Sequence, residues 1–340
     1  MSDQHDIAAS GSSDRAHDAD ARPESPPLGE VAARAADTRM PPPSGRHDFR
    51  SHGGGELDVE RASKSGKPRA ENDPDLESTF QAAVEEGTLR VRRSLPTLLA
   101  TGLVGGIDVS IGVVALLIVE HETGSKLLGA LAFTIGFIAL SLARSELFTE
   151  NFLVPVTAVI AHQARIRELA RLWIGTAVMN LLGGWVVIGL FAAGEPDIAV
   201  TADTITAHLT EQGVGLESFA LAIVGGAVIT VMTWMERNCD TQGPQVVAAI
   251  AAGFVLAAVP LNHVIVNSLE MFAALHTGAA FGYLEYFRLA LWWTLGNMIG
   301  GLVLVTLVRL VQVGRGPIEQ ARRTPFRRLH PGDPGELGGS

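Results

Sequence analysis

Two stretches of sequence decide the fold: residues 127–160, LLGALAFTIGFIALSLARSELFTENFLVPVTAVI, and residues 246–275, VVAAIAAGFVLAAVPLNHVIVNSLEMFAAL. Each is longer than the about 20 apolar residues that carry a helix across a bilayer, and each has polar residues and a proline inside it. A backbone that leaves the helix at membrane depth must be buried in protein or line a water-filled cavity, because lipid cannot bond its amide groups. The two interruptions therefore predict a pathway or a binding site inside the membrane.

Four further apolar stretches complete a pattern of six predicted spans, and they lie at about residues 95–119, 172–193, 219–235 and 289–310. The predicted fold class is an all-α membrane protein with six transmembrane helices, of which the second and the fifth are broken. Each broken span is the middle one of three. This arrangement is expected of an inverted repeat whose broken helices meet near the bilayer midplane.

The rest of the chain divides by composition. Residues 1–80 mix Asp, Arg, Ser, Gly and Pro and cannot bury enough apolar area to offset chain entropy, which predicts a disordered acidic cytoplasmic tail. Residues 81–93 have helical spacing of apolar residues and predict a short amphipathic cytoplasmic helix on the membrane surface. Residues 94–312 form the predicted six-span transporter domain, and residues 313–340 a cytoplasmic tail that is first basic and then rich in Gly and Pro.

Charge at the span ends predicts the orientation. Thirteen arginines flank the spans on the side of the two termini, against only Lys126 and Arg288 on the opposite side. Positive charge is retained in the cytoplasm, so both termini are expected there, and an even number of spans agrees with this. We therefore expect a multi-pass protein of the bacterial inner (cytoplasmic) membrane.

Composition argues against other classes of protein. The net charge is −10, and no basic face is available for nucleic acid. The one cysteine, Cys239, cannot form an internal disulfide. An intramembrane enzyme is the rival of a different class, but the sequence lacks HExxH, GxSxG and any Cys/His cluster with zinc spacing. We expect no enzymatic activity, no cofactor and no metal.

Three segments carry a resemblance to a known family. ARSELFTEN at residues 143–151, NHVIVNSLEMF at 262–272 and TLGNMIGG at 294–301 resemble the most recognisable segments of the formate/nitrite transporter family, in the expected spans and order. The form ARSELFTEN and the long acidic tail are most similar to a poorly characterised inner-membrane branch. The resemblance implies an aquaporin-like fold, a homopentamer with one pore per protomer, and a small monovalent anion or its neutral acid as the permeant.

The resemblance also assigns pore residues. It places Leu147, Phe148 and Thr149 in the loop that breaks span two and forms the constriction on the cytoplasmic side. His263 matches the central pore histidine of the family, and Asn297 in span six is its implied partner.

His263, Asn267 and Glu270 are spaced i, i+4 and i+7, so they share one face of a helix. Ionisable groups inside a span are functional candidates, because burying them is costly unless they meet a cavity or a partner. A neutral His263 could donate to a passing anion while Asn267 fixes its tautomer. Alternatively, His263 transfers a proton so that the neutral acid permeates. A histidine that merely bonds two helices together is the structural alternative.

The polar residues of span two have two expected roles. The hydroxyl of Thr149 is expected opposite His263, at the break. Arg144, Glu146 and Glu150 are expected to form a buried network of ion pairs that holds the loop. Asp108, in span one, is expected to bond a neighbouring helix.

Two departures from the family pattern leave the substrate open. Many anion-conducting members have a polar residue in span four where this chain has Gly226, and a vestibule lysine for which residues 194–218 offer no candidate. Two alternatives to an anion pore follow: a neutral-solute channel, and a non-conducting membrane scaffold of the same fold. A neutral-solute channel is disfavoured by the absence of Asn-Pro-Ala at either break.

Overall fold

The computed structural model describes residues 74–324, and these residues are helical over most of their length. Twelve α-helices follow in chain order: α1 (Pro74–Val91), α2 (Leu95–Thr123), α3 (Lys126–Ala143), α4 (Val154–Ile160), α5 (Ile166–Gly194), α6 (Ala199–Gln212), α7 (Leu216–Arg237), α8 (Gln242–Ala258), α9 (Val264–Thr277), α10 (Tyr283–Ile299), α11 (Val308–Val313) and α12 (Arg315–Arg323). Two 3₁₀ turns, Phe148–Phe152 and Pro196–Ile198, and a π-helical segment, Gly300–Leu307, complete the described elements.

Five described helical segments are long and apolar enough to cross a membrane: α2, α3, α5, α7 and the continuous segment Tyr283–Val313, which joins α10 to α11. The predicted fifth span is divided between α8, with 17 residues, and α9, with 14. The architecture is therefore all-helical with five candidate spans by length and composition, where the sequence predicts six.

The first interruption, between α3 and α4, has a local cause in the backbone. Helix α3 ends because Arg144 adopts a left-handed conformation, with φ 55°, which cannot continue a helix. A 3₁₀ turn follows at Phe148–Phe152, and α4 then begins with Pro155 in its first turn. A proline is tolerated there because the first amide groups of a helix have no intrahelical partner.

The second interruption lies between α8 and α9. Helix α8 ends at Ala258, and the next residue, Val259, is extended. Pro260 lacks an amide hydrogen and therefore cannot extend the helical ladder. Helix α9 then begins after His263, whose ring Nδ1 accepts a hydrogen bond of 3.4 Å from the backbone N–H of Val266. A histidine side chain thus acts as the N-cap of α9.

Helix α1 overlaps the amphipathic helix predicted for residues 81–93 and begins earlier, at Pro74, inside the predicted tail. One face of it is buried against protein, whereas Leu89 is 51% exposed. Phe80, 1% exposed, and Val84 share a buried cluster with Leu153 and Trp234. The remainder of the predicted tail, residues 1–73, lies outside the described residues, as do residues 325–340.

Candidate functional site

Asn180, on α5, holds the first interruption in place. Its Oδ1 accepts from the backbone N–H of Phe148 at 2.8 Å, and its Nδ2 donates to the carbonyl of Glu146 at 2.9 Å. The same Nδ2 donates to the carbonyl of Gly102, on α2, at 2.7 Å. One buried amide therefore satisfies backbone groups that the broken helix leaves without a helical partner.

Asn297, on α10, holds the second interruption in the same way. Its Oδ1 accepts from the backbone N–H of Val264 at 2.9 Å, and its Nδ2 donates to the carbonyl of Asn262 at 2.8 Å. Nδ2 also donates to the carbonyl of Ala222, on α7, at 2.7 Å. The two asparagines make matching sets of three bonds in the two halves of the chain, which is the internal symmetry expected of a repeat.

The middle residues of the two interruptions correspond under this match. Leu147 lies between the two backbone groups that Asn180 binds, and His263 lies between those that Asn297 binds. The repeat therefore places an apolar side chain at one break and an imidazole at the other.

Paired glycines let the helices approach these asparagines. A Cβ added at Gly106 would overlap the carbonyl oxygen of Asn180, and one added at Gly226 would overlap that of Asn297. Gly226 is the span-four position at which the sequence analysis noted a glycine in place of a polar residue. It is a position of close backbone contact, where no side chain fits without movement of α10.

The sequence contains a signal for this symmetry that our reading missed. Asn180 opens the segment NLLGG and Asn297 opens NMIGG, so an asparagine precedes a Gly-Gly pair by three residues in both the third and the sixth predicted span. Only Asn297 was identified as a candidate. Comparing the two segments with each other would have identified Asn180 and the register of the repeat.

Thr149 and His263 lie in direct contact and join the two interruptions. Thr149 Oγ1 is 2.8 Å from His263 Nε2, and both residues are 0% exposed. Because Nδ1 of the ring accepts from Val266, the proton of the neutral imidazole is assigned to Nε2, which then donates to Thr149. The hydroxyl hydrogen of Thr149 remains available to another acceptor.

Asn267 does not set this tautomer, and the prediction that it does is wrong. Its Oδ1 accepts from the backbone N–H of His263 at 3.2 Å, and its Nδ2 donates to Oδ1 of Asn262 at 3.0 Å. The ring instead takes its orientation from the first turn of α9. Asn267 therefore holds the backbone of the break through these two bonds and not the imidazole ring.

Leu147 and Phe148 are both buried, at 0% and 6% exposed. The ring of Phe148 packs edge-on against Phe152, with centroids 5.0 Å apart, and Phe152 packs against Trp173 in turn. Because Asn180 fixes the backbone at Phe148, these apolar side chains extend from a rigid turn.

Two cavities are lined by residues that lie close in the chain to Thr149 or to His263. The charged cavity, of about 390 Å³, is lined among others by Glu86, Arg90, Glu146, Glu150 and Arg237. The apolar cavity, of about 380 Å³, is lined among others by Leu116, Lys126, Leu256, Asn267 and Glu270. Glu150, which lines the charged cavity, follows Thr149 directly in the chain, and Asn267, which lines the apolar cavity, lies one helical turn beyond His263.

The ion pairs of the charged cavity come mainly from α1. Glu146 Oε1 lies 2.6 Å from Nη1 of Arg93 and 3.1 Å from Nε of Arg90. Arg90 also pairs with Glu86 at 2.6 Å, and Glu86 pairs with Arg237 at 3.0 Å. A chain of alternating charges therefore ties α1 to the first interruption and to the end of α7.

The prediction that Arg144 forms a buried network of ion pairs with Glu146 and Glu150 is wrong, because Arg144 is not the cation of that network. Arg144 is exposed, and no ion pair among residues 74–324 includes it, because its left-handed backbone turns the chain at the end of α3. Glu150 bonds within its own turn, where its Oε2 accepts from the backbone N–H of Leu147 at 3.2 Å. Of the three, only Glu146 is ion-paired. Asp108 bonds Ser145 in the loop, whose hydroxyl donates to its Oδ2 at 2.6 Å.

Burial and neighbouring charge act in opposite directions on the pKa values of Arg90 and Glu86, which both lie on α1. Burial alone would lower the pKa of Arg90, but the carboxylates of Glu146 and Glu86 raise that pKa above its ordinary value. Burial alone would raise the pKa of Glu86, but Arg90 and Arg237 lower it below its ordinary value. Both groups are therefore charged at neutral pH, and the network holds as ion pairs.

The apolar cavity contains a lysine that the sequence analysis did not place there. Lys126 begins α3 and lines this cavity with Glu120, His208 and Glu270, whereas the search for a vestibule lysine covered only residues 194–218. Burial lowers the pKa of His208, on α6, so its ring is neutral at neutral pH. One lysine thus faces two carboxylates. Within the described part of the chain, no group of three or more metal-ligating side chains is found.

Comparison with known proteins shows which family this chain is similar to. The family model described as "Formate/nitrite transporter" matches residues 77–311. The chain is 26% identical to "Uncharacterized transporter YrhG" of Bacillus subtilis, over 68% of this chain and 90% of that protein. It is also 26% identical to "Inner membrane protein YfdC" of Escherichia coli, over 80% of this chain and 91% of that protein.

A solved structure supports the fold. The chain superimposes on a structure titled "Pentameric formate channel with formate bound" with a TM-score of 0.53 and 22% identity, over 63% of this chain and 95% of that chain. The matched family model covers the helices and both interruptions that build the site. The chain therefore belongs to the formate/nitrite transporter family.

Proposed function

We propose that this protein forms a pore for small monovalent weak-acid anions such as formate or nitrite. Residues 127–160 and 246–275 then act as the broken second and fifth of six spans. The protein works as a homopentamer in the bacterial inner membrane, with both termini in the cytoplasm, and each protomer has its own pathway. Membership in a family of transporters and the similarity to a pentameric formate channel support this proposal.

One observation carries the proposal: the hydrogen bond between Thr149 and His263. The bond joins the two residues that the two interruptions present to each other, and in this proposal the bonded pair separates the charged cavity from the apolar cavity. A buried pair of polar groups at the narrowest point offers hydrogen bonds to a permeant that has lost its water. An apolar constriction without such groups would exclude the anion, because desolvating a charge is costly.

The tautomer favours direct hydrogen bonding of the anion over proton transfer from the ring. Nδ1 of His263 accepts from the N–H of Val266, so protonation there would set two N–H groups against each other. The neutral ring instead offers its Nε2–H, and Thr149 offers its hydroxyl hydrogen. An oxyanion that separates the two side chains would receive both donors.

A neutral-solute channel is the second candidate, and one observation favours it. Glu120 and Glu270 place two carboxylates against the single Lys126 in the apolar cavity. Unless they are protonated or neutralised, these carboxylates repel an approaching anion. A comparison of anion flux with glycerol flux decides between the two candidates.

Flux into proteoliposomes tests the proposed function. We expect formate and nitrite to enter vesicles that contain the wild type, and His263→Ala to change that flux at least tenfold. His276→Ala is the matched control, since His276 lies near the other end of α9, where its ring packs against Trp185 with centroids 4.9 Å apart. Glycerol flux without formate flux would establish the neutral-solute channel. No flux of either solute through a folded pentamer would favour a scaffold.

A further inference from the structure

A third cavity, called the cleft below, lies where α1 ends and α5 begins. It has a volume of about 450 Å³ and is lined by Val91 and five charged residues, Arg92, Arg165, Arg167, Glu168 and Arg171. Four positive charges therefore face one negative charge. Neither the pathway nor the family match assigns a role to this cleft.

The cleft has a rigid base. Val91, Leu98 and Leu172 form a buried cluster beneath it, and each is 0% exposed. Arg171 is held at the rim, because its Nη2 donates to the carbonyls of Val91 at 2.7 Å and of Arg93 at 2.9 Å. Its guanidinium therefore has a fixed position before any ligand arrives.

Three of the four arginines of the cleft take part in no ion pair within the described residues. Among residues 74–324, no ion pair includes Arg165, Arg167 or Arg171. The Oε2 of Glu168 accepts from the backbone N–H of Arg165 at 2.7 Å, so this carboxylate caps the first turn of α5. The arginines therefore attract an anion from outside the chain.

The face of α5 that carries two of these arginines continues as apolar surface. Arg167, Arg171, Ile174 and Val178 follow the spacing i, i+4, i+7 and i+11, which places them on one side of the helix. Ile174 is 66% exposed and Val178 is 55% exposed. Along this face the positively charged arginines come first and the exposed apolar side chains follow. A phospholipid has the matching order, with its phosphate at one end and its acyl chains beyond it.

We propose that this cleft binds the phosphate of an anionic phospholipid, with the acyl chains along Ile174 and Val178. The lipid lies in the leaflet that borders the end of α1 and the start of α5, because basic pockets beside transmembrane helices bind anionic headgroups. This inference rests on membrane embedding and does not require that an anion permeates. Bound there, the lipid joins the end of α1 to the start of α5.

Lipid binding to the full-length protein in detergent tests the proposal, with short-chain phosphatidylglycerol and phosphatidylcholine as ligands and native mass spectrometry as the readout. We expect phosphatidylglycerol to bind the wild type at least tenfold more tightly than phosphatidylcholine does. Each arginine near an anionic surface contributes about a fivefold gain in affinity, so R165Q/R167Q is expected to bind it roughly 20- to 30-fold more weakly. Arg323→Gln is the matched control, because Arg323 is also exposed but lies on α12, outside the cleft.

Several results would overturn the proposal. Equal binding of the two lipids would exclude charge recognition, and unchanged phosphatidylglycerol binding by R165Q/R167Q would place the lipid elsewhere. Displacement of the lipid by millimolar inorganic phosphate would assign the cleft to a soluble anion. Loss of the oligomer in R165Q/R167Q, with unchanged lipid binding, would assign it to a protein contact. Formate flux is measured in parallel, so failure of this inference remains distinguishable from failure of the proposed function.

Discussion

Replacing Asn180 by alanine tests the construction of the site most sharply. The substitution leaves the N–H of Phe148 and the carbonyl of Glu146 without a partner at residues that are 6% and 1% exposed. Each buried unsatisfied group costs about 1–3 kcal/mol, so the expected loss is about 2–6 kcal/mol. The carbonyl of Gly102 lies inside α2 and keeps its helical partner, so it adds little.

The internal symmetry predicts that replacing Asn297 causes a loss of stability about equal to the loss caused by replacing Asn180. Asn297→Ala leaves the N–H of Val264 and the carbonyl of Asn262 unpaired, and both residues are nearly as buried, at 3% and 1% exposed. The two substitutions should therefore destabilise the protein by amounts that agree within about 1 kcal/mol, since each removes the same set of bonds. Proteins have a free energy of unfolding of about 5–15 kcal/mol, so either substitution would remove a large part of it and the variant could still fold.

Reversible unfolding by SDS in mixed micelles, followed by tryptophan fluorescence, measures both losses. Asn238→Ala is the matched control: its Nδ2 donates to the carbonyl of Trp234 at 2.7 Å, at a partly buried site where water can replace it. We expect the control to lose about 1 kcal/mol or less. A loss below 1 kcal/mol for Asn180→Ala, or a large loss for only one of the two asparagines, would refute the symmetric account.

Three further predictions follow from the same contacts. Gly226→Ser should prevent normal folding, since its Cβ would overlap the carbonyl oxygen of Asn297; full oligomer yield with normal flux, by size-exclusion chromatography and vesicle assay, would contradict this. Glu146→Gln should destabilise the protein by about 1–3 kcal/mol, because it removes a buried carboxylate that pairs with Arg93 and with Arg90, which keeps its second partner Glu86. Arg144→Gln should change stability by less than about 0.5 kcal/mol, and equal losses in SDS unfolding would show that Arg144 pairs after all. Because the pKa of Glu86 is lowered from its ordinary value of 4.5, its stabilising contribution is present above that pH and is lost as pH falls through the lowered value; Glu86→Gln should remove this part of the pH dependence of unfolding, and an unchanged profile between pH 5 and 3 would refute the assignment.

Local chemistry made the interruptions predictable. Polar residues and prolines inside long apolar stretches indicated where the helices break, and the spacing from His263 to Glu270 indicated a shared face. The pairing of Thr149 with His263 followed from the family resemblance and has a counterpart in the structure at 2.8 Å. The breaks and the shared face are each decided within one stretch of sequence, whereas the pairing of Thr149 with His263 joins two recognisable family segments that are 114 residues apart.

Partners distant in the sequence were not predictable in the same way. Glu146 was assigned to Arg144, its neighbour in the chain, but it pairs with Arg90 and Arg93, more than 50 residues earlier. The choice depends on how α1 packs against the first interruption, and a left-handed residue turns the nearer arginine to the surface. Lys126 was missed for a related reason, since the start of α3 lines a cavity that the search had assigned to a loop.

Modification of a single cysteine in the pathway tests the central claim most directly. In a Cys239→Ser background, which removes the one natural thiol, Thr149→Cys should react with methyl methanethiosulfonate, and formate flux into proteoliposomes should then fall at least tenfold. Thr176→Cys is the matched control, because Thr176 is equally buried, at 0% exposed, but its hydroxyl donates to the carbonyl of Leu172 within α5 and does not contact His263. Flux blocked only at position 149, with protection by saturating formate, is the predicted result. Modification of that thiol with unchanged flux would contradict a pathway between Thr149 and His263.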